Sequence, residues 1–224
     1  MSWIFFSDFD GTITQQDVIG TIMENFAPPE WKDIYTGLME GKIDIDVGIR
    51  MMFNLIPAEK LESIKEFVLD GIKIREGFGE LLDYLREKDI PFVILSGGLD
   101  FYIYLLMEPY LDKIHRIHSN RLIVREGKLD VRFYYRCGVL CKRNCGICKP
   151  YVIENYYKNH TLRMYAGDGI TDLDASQFND IIFSTGGLEY YLKKLNLRGK
   201  RVIKFETFFD VIKSIEEYGE GISS

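Results

Sequence analysis

Two short acidic clusters hold the residues best suited to joint chemistry. In SDFDGT, Asp8 and Asp10 are one residue apart, and in GDGITD, Asp168 and Asp172 are three apart. Carboxylates gathered in one place repel each other unless a cation is shared between them. With a divalent cation present, one carboxylate can act as a nucleophile while another, held off the metal, trades a proton with a leaving oxygen. Oxygen-only ligands suit Mg²⁺, which keeps several waters and binds one or two carboxylates plus a substrate phosphate. LSGG at 95 to 98 adds the Ser96 hydroxyl and, at Gly97 and Gly98, small residues whose amides can approach a phosphate closely. Lys149 stands just ahead of Pro150 and the helical run VIENYYKN, and can bring positive charge to the same place. Taken singly, these are also ordinary turns, a glycine loop and a solvated lysine. Their order, DxD, S, K, GDGxxD, each after an apolar run or at a helix start, carries the signal.

Cys137, Cys141, Cys145 and Cys148 are the only cysteines and lead straight into Lys149. Their C-x3-C-x3-C-x2-C spacing admits a structural Zn²⁺ with four thiolates and no open position, which would fix the loop that aims the lysine. Reduced thiols that bind nothing fit equally well. The start MSWIFFSDFDG has no basic n-region and its apolar run is short, so a cytoplasmic protein without a signal peptide is expected. His115, His118 and His160 lack ligand spacing with any acid or cysteine and read as surface or core residues.

The elements that must position these groups follow from periodicity. Apolar runs at 3 to 6, 92 to 95, 162 to 166, 180 to 183 and 201 to 205 alternate with helical stretches, which predicts a parallel sheet covered by helices. Both acidic clusters and LSGG then fall at carboxyl ends of strands, where open α/β sheets bind ligands. RLIVREGKLDVRF, 121 to 133, reads instead as an antiparallel hairpin turning at Glu126-Gly127-Lys128, an excursion from the pattern. Residues 17 to 72 show helical patterns broken at Pro28-Pro29, near Gly41 and at Pro57, which predicts a helical insert after the first strand. A net charge of -6 and a pI near 5.2 exclude the basic footprint of a nucleic-acid binder. A phosphorylated metabolite with a bound cation remains compatible with that acidity.

In this order, Asp8-Phe9-Asp10-Gly11-Thr12, Ser96, Lys149 and Gly167 to Asp172 resemble the four motifs of the haloacid dehalogenase superfamily, in the branch with a helical cap after the first motif. The resemblance implies a Rossmann-like core of residues 1–16 and 73–224 with a cap over 17–72. It implies that Asp8 is the nucleophile, Asp10 the general acid and then base, and that Ser96 and Lys149 hold phosphate oxygens. Mg²⁺ would sit on Asp8, the Asp10 carbonyl and Asp168, with Asp172 acting at one remove; Thr12, Gly97 and Gly98 would line the phosphate. An acid at position 10 implies phosphoryl transfer, since members that cleave carbon-halogen bonds lack it. FAPPEW, KIREGF, IPFVILSGGLDF and CGICKP are similar to a methionine-salvage phosphatase branch, which implies a small methylthio-bearing substrate and a monomer or homodimer. Met52, with Met51 and Phe53, would suit an apolar tail, although helix core is the simpler reading of these three. The competing branch is phosphoserine phosphatase, whose cap arginine and loop acid would correspond to Met52, or Arg50 one slip away, and to Asp17. A sugar phosphomutase would share the same nucleophile and acid.

Overall fold

The computed structural model describes residues 2–135, 146–195 and 197–223. Strand β1 (Trp3–Ser7) is apolar because helices cover both of its faces. Its alternation sends Phe5 into one core cluster and Ile4 and Phe6 into another on the opposite side of the sheet. Four helices follow: α1 (Val18–Phe26), α2 (Trp31–Met39), α3 (Ile45–Asn54) and α4 (Leu61–Gly71), with the expected breaks between them. The chain continues through α5 (Phe78–Glu87), β2 (Phe92–Leu99), α6 (Asp100–Met107), β3 (Arg116–Arg125) and β4 (Lys128–Arg132). It ends with α7 (Lys149–Tyr156), β5 (Leu162–Gly167), α8 (Leu173–Ser176), β6 (Ile181–Ser184), α9 (Leu188–Leu192), β7 (Arg201–Lys204) and α10 (Phe208–Ser223).

The seven strands form one sheet in the order β4-β3-β2-β1-β5-β6-β7, parallel except for β4. The fold is the α/β, Rossmann-like class that the alternating pattern predicts. Register explains why the acidic clusters converge. Ser7 pairs with Ala166 on one side and Ile94 on the other, so Asp8, Gly167 and Leu95 stand at one level across the sheet. The amide of Asp8 donates to the Ala166 carbonyl at 2.9 Å and prolongs that pairing.

The 121–133 hairpin is not an excursion. Its first strand starts earlier, at Arg116, and pairs parallel with β2 before its second half turns antiparallel with β4. The stretch RIHSN hid this half, because His118 and Asn120 supply its buried side rather than apolar residues. Glu126 and Gly127 both take positive φ, 52° and 73°, the combination a two-residue hairpin turn requires.

The inserted helices share the main core. Ile22, Met23, Phe53, Ile64 and Val68 belong to the same buried cluster as Phe5, Phe92 and Phe183. The linkers into and out of the insert pair with each other, Gln15 N–H donating to Lys73 at 2.9 Å and Arg75 N–H to Ile13 at 2.7 Å. On the far side, Ala58 N–H donates to the Gly127 carbonyl (2.8 Å) and Leu129 N–H to Ile56 (3.0 Å), which covers part of the β4 edge.

Candidate active site

Lys149, the first residue of α7, is only 3% exposed, and its ammonium reaches three oxygens. It donates to Asp8 Oδ1 at 2.7 Å, Asp172 Oδ1 at 2.6 Å and the Tyr165 hydroxyl at 3.1 Å. A solvated surface lysine is therefore ruled out. Burial works against the lysine charge, but Asp172 and Asp8 outweigh it and hold the side chain protonated well above its usual range. The loop that delivers Lys149 is anchored where Cys148 N–H donates to the Tyr135 carbonyl at 2.7 Å.

Asp172 is fully committed. Besides Lys149 it accepts from the Tyr165 hydroxyl at 2.5 Å, and its Oδ2 accepts from the amides of Asp168 and Gly169, each at 3.0 Å. Four donors on one carboxylate fix the GDGITD turn and aim the lysine. Gly167 is needed beneath it, since a Cβ there would lie 2.6 Å from the Asp172 carboxyl carbon. Gly11 is needed for a similar reason and has φ of 76°; its Cβ would stand 2.5 Å from Asp168 Oδ2. The Thr12 hydroxyl donates to Asp168 Oδ1 at 3.2 Å, so it orients a carboxylate.

Asp8, Asp168 and Asp172 each offer a carboxylate oxygen within 4.8 Å of the others. Burial, then the charge of Asp172, pushes Asp8 well up despite the pull of Lys149. The same two causes, in the same order, raise Asp168 to about 6. One lysine thus leaves negative charge uncompensated in an all-oxygen donor set, the environment a hard divalent cation fits. With Asp172 saturated by protein donors, Asp8 and Asp168 are the side chains that would hold it.

Asp10 is set apart from this group. Its Oδ2 accepts from the Tyr102 hydroxyl at 2.7 Å and its Oδ1 from the Val18 amide at 3.3 Å. Burial, then the charge of Asp17, raises it to about 7, the value an acid-base group working near neutrality needs. Asp17 itself caps α1, accepting from Gly20 N–H at 3.2 Å. Ser96 is fully buried within β2, just past the regular pairing with β3 that runs to Leu95, and its Oγ accepts from the Gly98 amide at 2.9 Å. Gly97 is partly open, with its carbonyl held by Asn120 at 2.8 Å.

Other expected residues lie elsewhere. Met52 is 3% exposed and packs within the main core; of that stretch only Met51 is exposed, at 43%. Helix periodicity alone could not separate a core methionine from a pocket one. Cys137, Cys141 and Cys145 lie outside the described residues, and Cys148 is a half-buried free thiol. His118 is a core residue, its Nε2 2.8 Å from the Tyr157 hydroxyl, and burial lowers it to about 4.

Three residues escaped the reading of the sequence. Tyr165 lies in an apolar strand and Tyr102 in a helix, and nothing local in either announces that a carboxylate meets its hydroxyl. Arg75 in KIREGF stands just ahead of α5, which begins at Phe78, and its guanidinium spans three backbone carbonyls. It donates to Gly11 and Thr12, both at 2.7 Å, and to Glu206 at 3.0 Å, tying the loop after Asp10 to the exit from the insert.

The sequence profile of the haloacid dehalogenase-like hydrolases matches residues 5–177. The chain is 35% identical over 217 residues to the 2-hydroxy-3-keto-5-methylthiopentenyl-1-phosphate phosphatase of Bacillus pumilus, covering 94% of this chain and 92% of that protein. It is 33% identical to the protein of the same name from Geobacillus thermodenitrificans, covering 95% of each. Among solved structures it is similar to a phospho-aspartyl intermediate analogue of phosphoserine phosphatase, with TM-score 0.69 and 24% identity, covering 95% of this chain and 98% of that one.

Proposed function

The chain belongs to the haloacid dehalogenase-like hydrolase family, and from that premise we propose that it is a phosphomonoesterase forming an aspartyl-phosphate on Asp8. We propose 2-hydroxy-3-keto-5-methylthiopentenyl-1-phosphate as its substrate. The observation that carries the chemistry is the Lys149 ammonium bridging Asp8 and Asp172 beside Asp168, at the strand ends where the register delivers them. The relatives that match nearly the full chain support the substrate.

In this reading, residues 17–72 act as a cap on a catalytic core of 1–16 and 73–224. Asp8 attacks phosphorus as the bond to the leaving oxygen breaks, and that oxygen takes a proton from Asp10. Asp10, now ionised, removes a proton from water, whose oxygen attacks the same phosphorus; phosphate leaves and Asp8 is restored. Lys149 favours the ionised form of Asp8 against burial and lies where phosphoryl charge develops, and Ser96 stands within the neighbouring strand. A Mg²⁺ ion held by Asp8, Asp168 and the Asp10 carbonyl would supply the remaining neutralisation of phosphoryl charge. A cytoplasmic location and a small-metabolite substrate belong to the same proposal.

Phosphoserine is the second reading, because the solved structures share the fold. It needs a cap arginine for the substrate carboxylate. Arg50 is already engaged, its Nε 3.2 Å from Asp130 Oδ1 and its Nη2 donating to the Val131 carbonyl at 3.1 Å. Phosphate release in Mg²⁺ from the methylthiopentenyl phosphate, phosphoserine and several sugar phosphates, ranked by kcat/KM, decides between them. Preference for the methylthio compound by about 100-fold or more is expected, the scale on which apolar pocket contacts discriminate. Preference for phosphoserine overturns the substrate, and a second phosphorylated product in place of free phosphate would mean a phosphomutase.

A further inference from the structure

Tyr102 is fully buried, its ring 6.0 Å from Phe9 and 5.2 Å from Phe101. Phenylalanine would fill this space as well, so packing does not explain the hydroxyl. A buried phenol needs a partner, and the partner found is Asp10 Oδ2, at 2.7 Å. The backbone makes room for the pair. A Cβ on Gly98 would stand 1.9 Å from the Tyr102 hydroxyl and 2.4 Å from Asp10 Oδ2. Among the described residues the other oxygen, Oδ1, has only the longer bond from Val18 N–H, at 3.3 Å, at the start of α1.

We infer that Tyr102 is a positioning residue for proton transfer: its hydroxyl pins Asp10 Oδ2 as an acceptor, fixing the carboxyl plane and leaving Oδ1 to carry the proton. In the first step that proton passes from Oδ1 to the leaving oxygen as the phosphorus bond to Asp8 forms and the bond to the leaving group breaks. The Oδ2 to Tyr102 bond persists throughout, and the hydroxyl gives up no proton. This inference rests on the reading of Asp10 as general acid.

The test uses leaving groups, because a group that departs as a stable anion needs no proton. The full chain, Tyr102→Phe and Asp10→Asn are compared by kcat/KM on an alkyl phosphomonoester and on p-nitrophenyl phosphate, with thermal melts to confirm folding. The ratio kcat/KM reports transfer to Asp8, before water enters. Tyr102→Phe is expected to lose about 10-fold or more on the alkyl ester and less than about 2-fold on the nitrophenyl ester, a part of the 10²–10⁴ that general acid catalysis supplies. Asp10→Asn should show the same selectivity with a larger loss. If Asp10→Asn is selective and Tyr102→Phe loses equally on both esters, or on neither, Tyr102 only packs and the inference fails. If Asp10→Asn shows no selectivity, the acid role of Asp10 fails and takes the inference with it.

Discussion

The Asp8 carboxylate meets opposing demands. Burial and the Asp172 charge favour its neutral form, yet the nucleophile role proposed for it needs the ionised form, and Lys149 at 2.7 Å is the described side chain that pulls the other way. Replacing Asp8 by Asn removes the proposed nucleophile and a charged oxygen while keeping shape, and Asp172 still pairs with the lysine. Asp8→Asn is expected to lower kcat by about 10⁴-fold or more while the protein still melts cooperatively. Turnover at the parent rate would exclude Asp8 as the nucleophile. Gly98 gives a second expectation at this scale. Gly98→Ala, whose methyl would collide with the Tyr102–Asp10 pair, should reduce turnover more than binding, read as a fall in kcat with KM nearly constant.

At the scale of elements, the insert is held to the sheet by more than its two linkers. Asp130, buried on β4, accepts from Asn54 at 3.2 Å and pairs with Arg50 at 3.2 Å, both on α3, and Arg50 also lies 5.8 Å over the Phe133 ring. The hairpin that looked separate in the sequence is therefore the second attachment point of the insert. Asp130→Ala removes a buried acceptor from Arg50 and Asn54, partly exposed donors that keep water as an alternative, and from the buried Val131 amide at 2.8 Å. The loss should be about 1.5–3 kcal/mol, the range for hydrogen bonds to charged groups. Each kcal/mol lowers Tm by about 2–4 °C in a chain of this size. Hydrogen exchange should also quicken at Ala58 and Leu129, whose amides bridge insert and hairpin. An unchanged melt would show that the latch contributes no stability.

For the molecule as a whole, the buried acids make stability depend on pH and on metal. Asp10 at about 7 and Asp168 at about 6 both lie above the 3.8 of an unperturbed aspartate. The folded state therefore binds more protons than the unfolded chain between those values, and stability falls as pH rises through that window. Metal-free protein should melt at a higher temperature at pH 5.5 than at pH 8. A cation on ionised Asp8 and Asp168 opposes this loss and competes with protons. Mg²⁺ at about 100 times its Kd contributes about 2.7 kcal/mol, or about 5–11 °C at pH 8, with a smaller gain at pH 5.5. Equal gains at both pH values would place the ion away from these carboxylates. Among the described residues no helix is long and apolar enough to cross a membrane.

Motif order and apolar periodicity were enough to reach the parallel sheet, the helical insert after β1, and the acids and lysine that meet at the strand ends. Such features follow from local rules: strands that are buried on both faces are continuously apolar, and the residue after a strand must leave at its end. Contacts across the chain were not legible in that way. Whether Met52 faces ligand or core, which oxygen Tyr102 and Tyr165 find, where Arg75 spends its donors and what holds Arg50 all depend on partners distant in sequence, such as Asp130 for Arg50 and Asp10 for Tyr102. A helix or strand pattern fixes which side of an element a residue occupies, but packing in three dimensions decides what stands opposite, and that decided how Asp8, Asp10 and Lys149 are held.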